Sequence, residues 1–246
     1  MSGTLKKCST RWMRSAQKKV ALVRSQIQPE RRLKHRVIVA SNGRAGSTLT
    51  YSALMEGLNK TDPRPVKRAR FVPRLAHAEH SAPCLFKTHD FPAALGAWPE
   101  TTRAVFCFGD TQDSALSVYS AKSRYGDEWV TEHFEHLQAT GNFDELFERD
   151  VLQQARQVKE WAIFEQVPVL CVHYDALWDH EETISDFTGI AFKAPPRRAR
   201  VAKDIPSDLR QAAERLYGPI DALINQLPKC FVAGPQYKGL VSKLPS

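Results

Sequence analysis

No stretch of the 246 residues approaches the roughly 20 consecutive apolar residues that a membrane-spanning helix requires, which excludes a helical span within this sequence. The opening segment, Met1 to Lys19, is polar and basic and lacks the apolar middle of a secretory signal, so export is not expected and the expected location is cytoplasmic. Cysteine is scarce: there are five, an odd number without paired spacing, which argues against a disulfide framework and a four-cysteine zinc site. Cys84, Cys107 and Cys171 sit inside apolar runs, where a thiol behaves as a small buried hydrophobe. Internal repeats and low-complexity tracts are also missing. What is there is ordinary globular usage, 42% hydrophobic and 25% charged, in a chain long enough for one large α/β domain with a substantial core.

The net charge of +8 is unevenly placed. Residues 1–36 hold eleven lysines and arginines against a single acid, Glu30, so the rest of the chain carries a net charge of −2. Nucleic-acid binding by the main domain is not expected from such a balance. Within the basic segment Trp12, Ala16, Val20, Val23 and Ile27 recur at steps of three and four, one apolar face of a helix among cationic residues. The expected organisation is therefore a basic amphipathic arm over 1–35 and an α/β domain over 36–246. The arm either packs its stripe on that domain or lies on an acidic surface: a membrane, a nucleic acid or a polyanionic acceptor.

From Arg36 onward short apolar runs alternate with longer helical patterns. Strands are predicted at 36–40, 84–88, 104–108 and 167–172, and helices at 47–58, 112–122, 143–164, 176–187 and 207–227. Residues 59–70, with two prolines and a basic cluster, read as a loop, and an acceptor is expected to sit in loops such as 59–80 and 123–142. Strands alternating with helices predict a mainly parallel sheet covered on both faces, with ligands at the strand carboxyl ends.

Two segments carry chemistry. The first, Asn42, Gly43, Arg44, Ala45, Gly46, Ser47 and Thr48, falls between a predicted strand and a predicted helix. Two glycines let the backbone turn its N–H groups inward; the helix N-terminus and Arg44 add positive charge, and Ser47 and Thr48 add hydroxyls. This is an anion cradle, or else a glycine turn with a helix cap. The Gly-Lys-Ser/Thr ending of the nucleotide-triphosphatase loop is missing, as is a clear magnesium ligand at a strand end. The second segment, Lys87, Thr88 and His89, ends the next strand and brings a cation and an imidazole to the same edge. Histidine near its ordinary pKa suits removal of a proton from an acceptor hydroxyl. His77 with His80, and His133 with His136, have a helical i, i+3 spacing but no third ligand, so no metal is expected.

The order and spacing of these segments resemble the sulfotransferase superfamily, in its carbohydrate and bacterial branches. Val37 to Thr48 matches that family's first strand and loop, Lys87 to His89 its catalytic strand end, and Arg103 to Ser120 its third strand and helix, with Asp113, Ser117 and Tyr119 in place. Val169 to Leu177, with Tyr174 and Asp175, is similar to its Tyr-Glu-Asp-Leu segment. The resemblance implies a P-loop-like parallel sheet and transfer of a sulfuryl group from 3′-phosphoadenosine 5′-phosphosulfate to a small-molecule or carbohydrate acceptor, without metal. It makes Arg44, Gly46, Ser47 and Thr48 the 5′-phosphosulfate contacts, His89 the base, Lys87 the group stabilising charge on the bridging oxygen, and Ser117 a 3′-phosphate contact. The family's arginine for that 3′-phosphate is replaced here by Gly109, followed by Asp110. Either another cation substitutes or donor binding is impaired: Arg197, Arg198, Arg200 and Lys203, after Pro195 and Pro196, are the best substitutes, and Lys122 and Arg124 are nearer in sequence. Tyr237-Lys238-Gly239 is a weak echo of the family's C-terminal Arg-Lys-Gly. The competing readings are a catalytically silent relative that binds an acidic partner, and a P-loop phosphotransferase.

Overall fold

The computed structural model describes residues 33, 35–61, 69–78, 84–197 and 204–245. The expected basic arm lies outside these residues except for Leu33 and His35, as do Arg198, Arg200 and Lys203. Six strands form one sheet: β1 (Val37–Ser41), β2 (Ala69–Phe71), β3 (Leu85–Lys87), β4 (Arg103–Phe108), β5 (Val169–His173) and β6 (Cys230–Val232), in the spatial order β2-β3-β1-β4-β5-β6. The first five run parallel, and β6 joins β5 antiparallel at the edge. The helices are α1 (Ser47–Thr61), α2 (Thr111–Leu137), α3 (Gln154–Ala162), α4 (Glu181–Thr188), α5 (Ser207–Ile224) and the single turn α6 (Lys238–Val241).

The alternation of side chains along each strand divides the core into two layers. Val37 and Val39 of β1 pack with Ala53, Leu54 and Leu58 of α1 and Ile184 of α4. Ile38 and Ala40 pack on the other face with Leu116 and Phe134 of α2, Trp161 of α3 and Tyr217 of α5. Because both faces are covered, the central strands read as continuous apolar runs. Leu54 and Trp161 are fully buried, and each such side chain contributes about 1.5–3 kcal/mol by leaving water. The result is the expected α/β class, a mainly parallel sheet between helical layers.

This topology places a crevice. β1 is flanked by β3 on one side and β4 on the other, and the helices that follow β1 and β4 cover opposite faces of the sheet. The two connections diverge there, at the carboxyl ends of the strands, which is where open α/β sheets bind ligands.

Several boundaries differ from the sequence-based expectation. Of the loop expected over 59–70, the first three residues belong to α1 and Ala69–Phe71 is a strand, while 62–68 lie outside the described residues. The helix expected over 112–122 runs on to Leu137, with a break at Gly126 (φ +83°), so most of the stretch predicted as a loop over 123–142 is helical. The helix expected over 143–164 is shorter, because a 3-10 turn at Phe143–Glu145 and irregular chain lead into Gln154–Ala162. That entry is shaped by Asp150, whose Oδ2 accepts from the Ala155 N–H at 2.8 Å, and by Gln153 in the left-handed region. Likewise a 3-10 turn at Tyr174–Ala176 and the turn 177–180 precede α4, and Cys230–Val232 is a strand that periodicity did not reveal.

Candidate functional site

The chain leaves β1 at Ser41 and reaches α1 through three residues with positive φ: Gly43 (+84°), Arg44 (+51°) and Gly46 (+89°). At Gly46 glycine is required twice over, since a Cβ would also lie 2.6 Å from the Tyr174 ring. Arg44 is held in an unfavourable region for a residue with a side chain, at about 1–2 kcal/mol. Its Nε donates to Ser117 Oγ at 2.9 Å, and its guanidinium lies 5.8 Å from the Trp129 ring centroid. Burial lowers its pKa, but a guanidinium stays charged. The first N–H groups of α1 have no intrahelical acceptors, and with the helix dipole they make this end positive. Ser47 and Thr48 of that turn line the cleft, whereas Asn42 and Ala45 are buried beneath the loop. Both polar atoms of the Asn42 amide are buried without a hydrogen-bond partner, an orphaned donor and acceptor at the base of the cradle.

β3 brings Lys87 and, just beyond it, His89 to the same cleft. The Lys87 ammonium lies 5.3 Å from the Phe71 ring centroid; burial, with Arg44 nearby, lowers its pKa. His89 is 6% exposed. Its Nδ1 lies 3.2 Å from the Ser41 carbonyl oxygen and 3.1 Å from Ser41 Oγ, and the Ser41 hydroxyl donates to Ser47 Oγ at 2.8 Å. A carbonyl can only accept, so Nδ1 carries the proton and Nε2 keeps the lone pair. The surrounding backbone is fixed by Gln157 Nε2 donating to the His89 carbonyl (2.7 Å), and by Asp90, which accepts from Leu75 N, Phe91 N and Gln138 Nε2. Burial, then the charge of Lys87, pushes the His89 pKa down to about 4, so its resting form is neutral.

On the other side of the β1 loop, the ends of β4 and β5 and the first turns of α2 present Gly109, Asp110, Asp113, Ser114, Ser117 and Tyr174. Asp110, Asp113, Ser117 and Tyr174 line the cleft. Asp110 lies 3.9 Å from His173 Nε2 and accepts from Asn225 Nδ2 at 3.4 Å, and the proximity of His173 lowers its pKa. The N-terminus of α2 is closed by Asp221 of α5, whose Oδ1 accepts from the Thr111 N–H (2.6 Å) and hydroxyl (2.7 Å) and whose Oδ2 accepts from the Gln112 N–H (3.1 Å). Arg197 donates to Asp175 Oδ1 at 2.8 Å and lies over the Trp178 ring, so its charge is engaged by a carboxylate. Lys238 is placed 4.0 Å from Glu165 and is not part of the cleft lining.

The cleft encloses about 640 Å³, enough for a nucleotide-sized ligand. It draws together Arg44, Gly46, Ser47, Thr48, Lys87, His89, Ser117 and Tyr174, all singled out from the sequence. Sequence reasoning missed the second half of α2. Beyond the Gly126 break, Trp129, Glu132, His133 and His136 turn toward His89, with Phe71 of β2 opposite. His133 stacks on Trp129 at 4.7 Å, and burial pushes its pKa down to about 3. The spacing of Trp129, His133 and His136 is helical and was legible; the break that aims them was not. Among the described residues, the group whose ligand atoms approach closely enough to suggest a metal is Asp110, His173 and Asp175, not the histidines near His89.

No protein-family model matches this chain, and no curated protein matches it. Among solved structures it is similar to the crystal structure of retinol dehydratase in complex with androsterone and inactive cofactor PAP, with 14% identity and a TM-score of 0.36. The match covers 76% of this chain and 65% of that one, so this chain spans less than two thirds of that neighbour's length.

Proposed function

We propose that this chain is a sulfuryl transferase: it uses a nucleotide phosphosulfate, of the class of 3′-phosphoadenosine 5′-phosphosulfate, to modify a hydroxyl or amine of a small-molecule or carbohydrate acceptor. The observation that supports this best is the neutral His89, its Nδ1 tied to Ser41, in one cleft with Arg44, Lys87 and the open N-terminus of α1. The bound donor supplies an electrophilic sulfuryl group. The α1 N–H groups, Ser47, Thr48 and Arg44 hold its anionic end. Lys87 stabilises negative charge developing on the leaving oxygen, and His89 Nε2 takes the acceptor proton. Loose in-line transfers of this kind depend on positioning and charge stabilisation more than on covalent chemistry. The low pKa of His89 fits a ligand-dependent base. Lys87 and Arg44 contribute to its depression, so an anion bound on them raises it toward neutrality, where a base works best.

The test is transfer of radiolabelled sulfate to a mixed acceptor panel from adenosine 5′-phosphosulfate and from its 3′-phosphorylated form. At least one pairing should give label transfer. His89→Ala should lower turnover by about a hundredfold or more while nucleotide affinity stays within about twofold. A variant rate near that of the parent removes His89 as base, and a chain that neither transfers label nor binds either nucleotide overturns the reading.

A further inference from the structure

The cleft is electrically polarised, and the polarity follows from strand order. The β1 loop lies between the carboxyl end of β3, which carries Lys87 and, just beyond it, His89, and the carboxyl ends of β4 and β5, followed by Asp110, Asp113 in the first turn of α2, and Tyr174. A donor held by the loop with its reactive end over Lys87 and His89 has its other end over β4 and β5. We propose that this far end is a sugar read through free hydroxyls, so that the donor is a nucleoside 5′-phosphosulfate whose ribose carries no 3′-phosphate. The inference rests on the sulfuryl-transferase reading and specifies its donor.

Four observations converge. Position 109 is glycine: a Cβ there would meet Tyr174 Cβ at 3.5 Å and Ala45 Cβ at 3.9 Å, ordinary contacts, so nothing in the packing excludes a side chain, yet none is present to carry charge. Two carboxylates, Asp110 and Asp113, line this part of the cleft. The N-terminus of α2, which could otherwise attract a phosphate, is filled by Asp221. Among the described residues, two cations near this end are already engaged: Arg197 with the Asp175 carboxylate (2.8 Å) and Lys229 with Asn225 Oδ1 (2.6 Å). Ionised carboxylates accept hydrogen bonds from hydroxyls and repel phosphates. Nucleotide sites use the same contrast, with an acidic residue on a ribose hydroxyl and an arginine on a ribose phosphate.

The experiment is equilibrium titration of the full chain with adenosine 5′-monophosphate and with adenosine 3′,5′-bisphosphate, in EDTA and in magnesium. The monophosphate should bind at least about tenfold more tightly, the size of one charged-contact difference. Asp110→Asn and Asp113→Asn should each narrow the gap, and Gly109→Arg should reverse it. Equal or tighter binding of the bisphosphate by the parent chain overturns the inference and leaves the transferase reading standing. If that binding is lost in Arg198→Ala or Arg200→Ala, the phosphate belongs to that loop. A preference that reverses on adding magnesium also overturns it, and points to a cation held by Asp110, His173 and Asp175. An unchanged gap in both asparagine variants removes the carboxylates as the readers. Failure to bind either nucleotide brings down the transferase reading together with the inference.

Discussion

The turns from β1 into α1 and from β4 into α2 stand side by side at the crevice and are chemically opposite. The first ends in a helix N-terminus that opens into the cleft, with Arg44 held beside it in a strained conformation. The second ends in a helix N-terminus already closed by Asp221, with Asp110 and Asp113 facing the cleft. Strand–turn–helix geometry alone therefore does not make an anion site. What decides is whether the chain supplies its own anion to the N–H groups. The same contrast assigns opposite tasks to the two ends of the cleft, charge capture at β1 and β3 and hydroxyl reading at β4 and β5.

Acid should break the cationic end first. His89 and His133 have pKa values lowered from the ordinary 6.5 to about 4 and about 3. A group whose folded pKa is depressed takes up protons more readily when unfolded. Its contribution is fully present above about pH 6.5 and is lost as pH falls toward the folded value. Between pH 6.5 and 4 the loss should be on the order of 3 kcal/mol for each group, and so about 6 kcal/mol for the pair, at about 1.4 kcal/mol per pH unit for each group. Urea midpoints measured from pH 7.5 down to 4.5 check this. The double variant His89→Gln, His133→Phe should flatten the profile, and a profile as steep as the parent's would show that the acid sensitivity lies elsewhere.

The opposite turn should respond to loss of its anion. Asp221→Ala removes the acceptor for two backbone N–H groups and the Thr111 hydroxyl at a buried helix end. The expected cost is about 2 kcal/mol, the upper range of helix capping. Ser47→Ala at the start of α1 should cost less than half as much in stability, because the first-turn N–H groups there open into the cleft. Similar losses from both substitutions, read from denaturant unfolding, would erase the distinction between the turns.

Much of this could be read from the sequence, for identifiable reasons. β1, its loop and the Lys87 to His89 strand end are legible because the signals are local: continuous apolar runs, two glycines at fixed spacing, and polar residues at strand ends. The closure of the β4/α2 turn was not legible, since its controlling group, Asp221, lies 110 residues away. The second half of α2 was hidden because Gly126 reads as a terminator, whereas here it redirects one helical run and brings Trp129 and His133 over the cleft. β2 and β6 are three-residue edge strands, too short for any period to register.

The smallest expected effect belongs to Arg197, the described member of the cationic loop that the sequence offered as a 3′-phosphate ligand. Its partner Asp175 is 39% exposed and Arg197 itself 57%, and the pair is 2.8 Å apart with the guanidinium 5.2 Å from the Trp178 ring centroid. Exposed pairs of this kind contribute about 0–1 kcal/mol, and a solvent-facing cation–π contact contributes about 0.5. Arg197→Ala should therefore change stability by less than about 1 kcal/mol. It should leave affinity for adenosine 5′-monophosphate within about threefold, because the phosphate-holding loop lies on the other side of Tyr174. Releasing Asp175 adds an uncompensated carboxylate to the end of β5, so affinity for the bisphosphate should drift down only slightly and in step with general electrostatics. A selective loss of bisphosphate affinity of about tenfold or more, with the monophosphate unaffected, would show instead that Arg197 leaves Asp175 to meet a phosphate. The β4 and β5 end of the cleft would then be cationic toward a bound phosphate, and the contrast between the two turns would not survive.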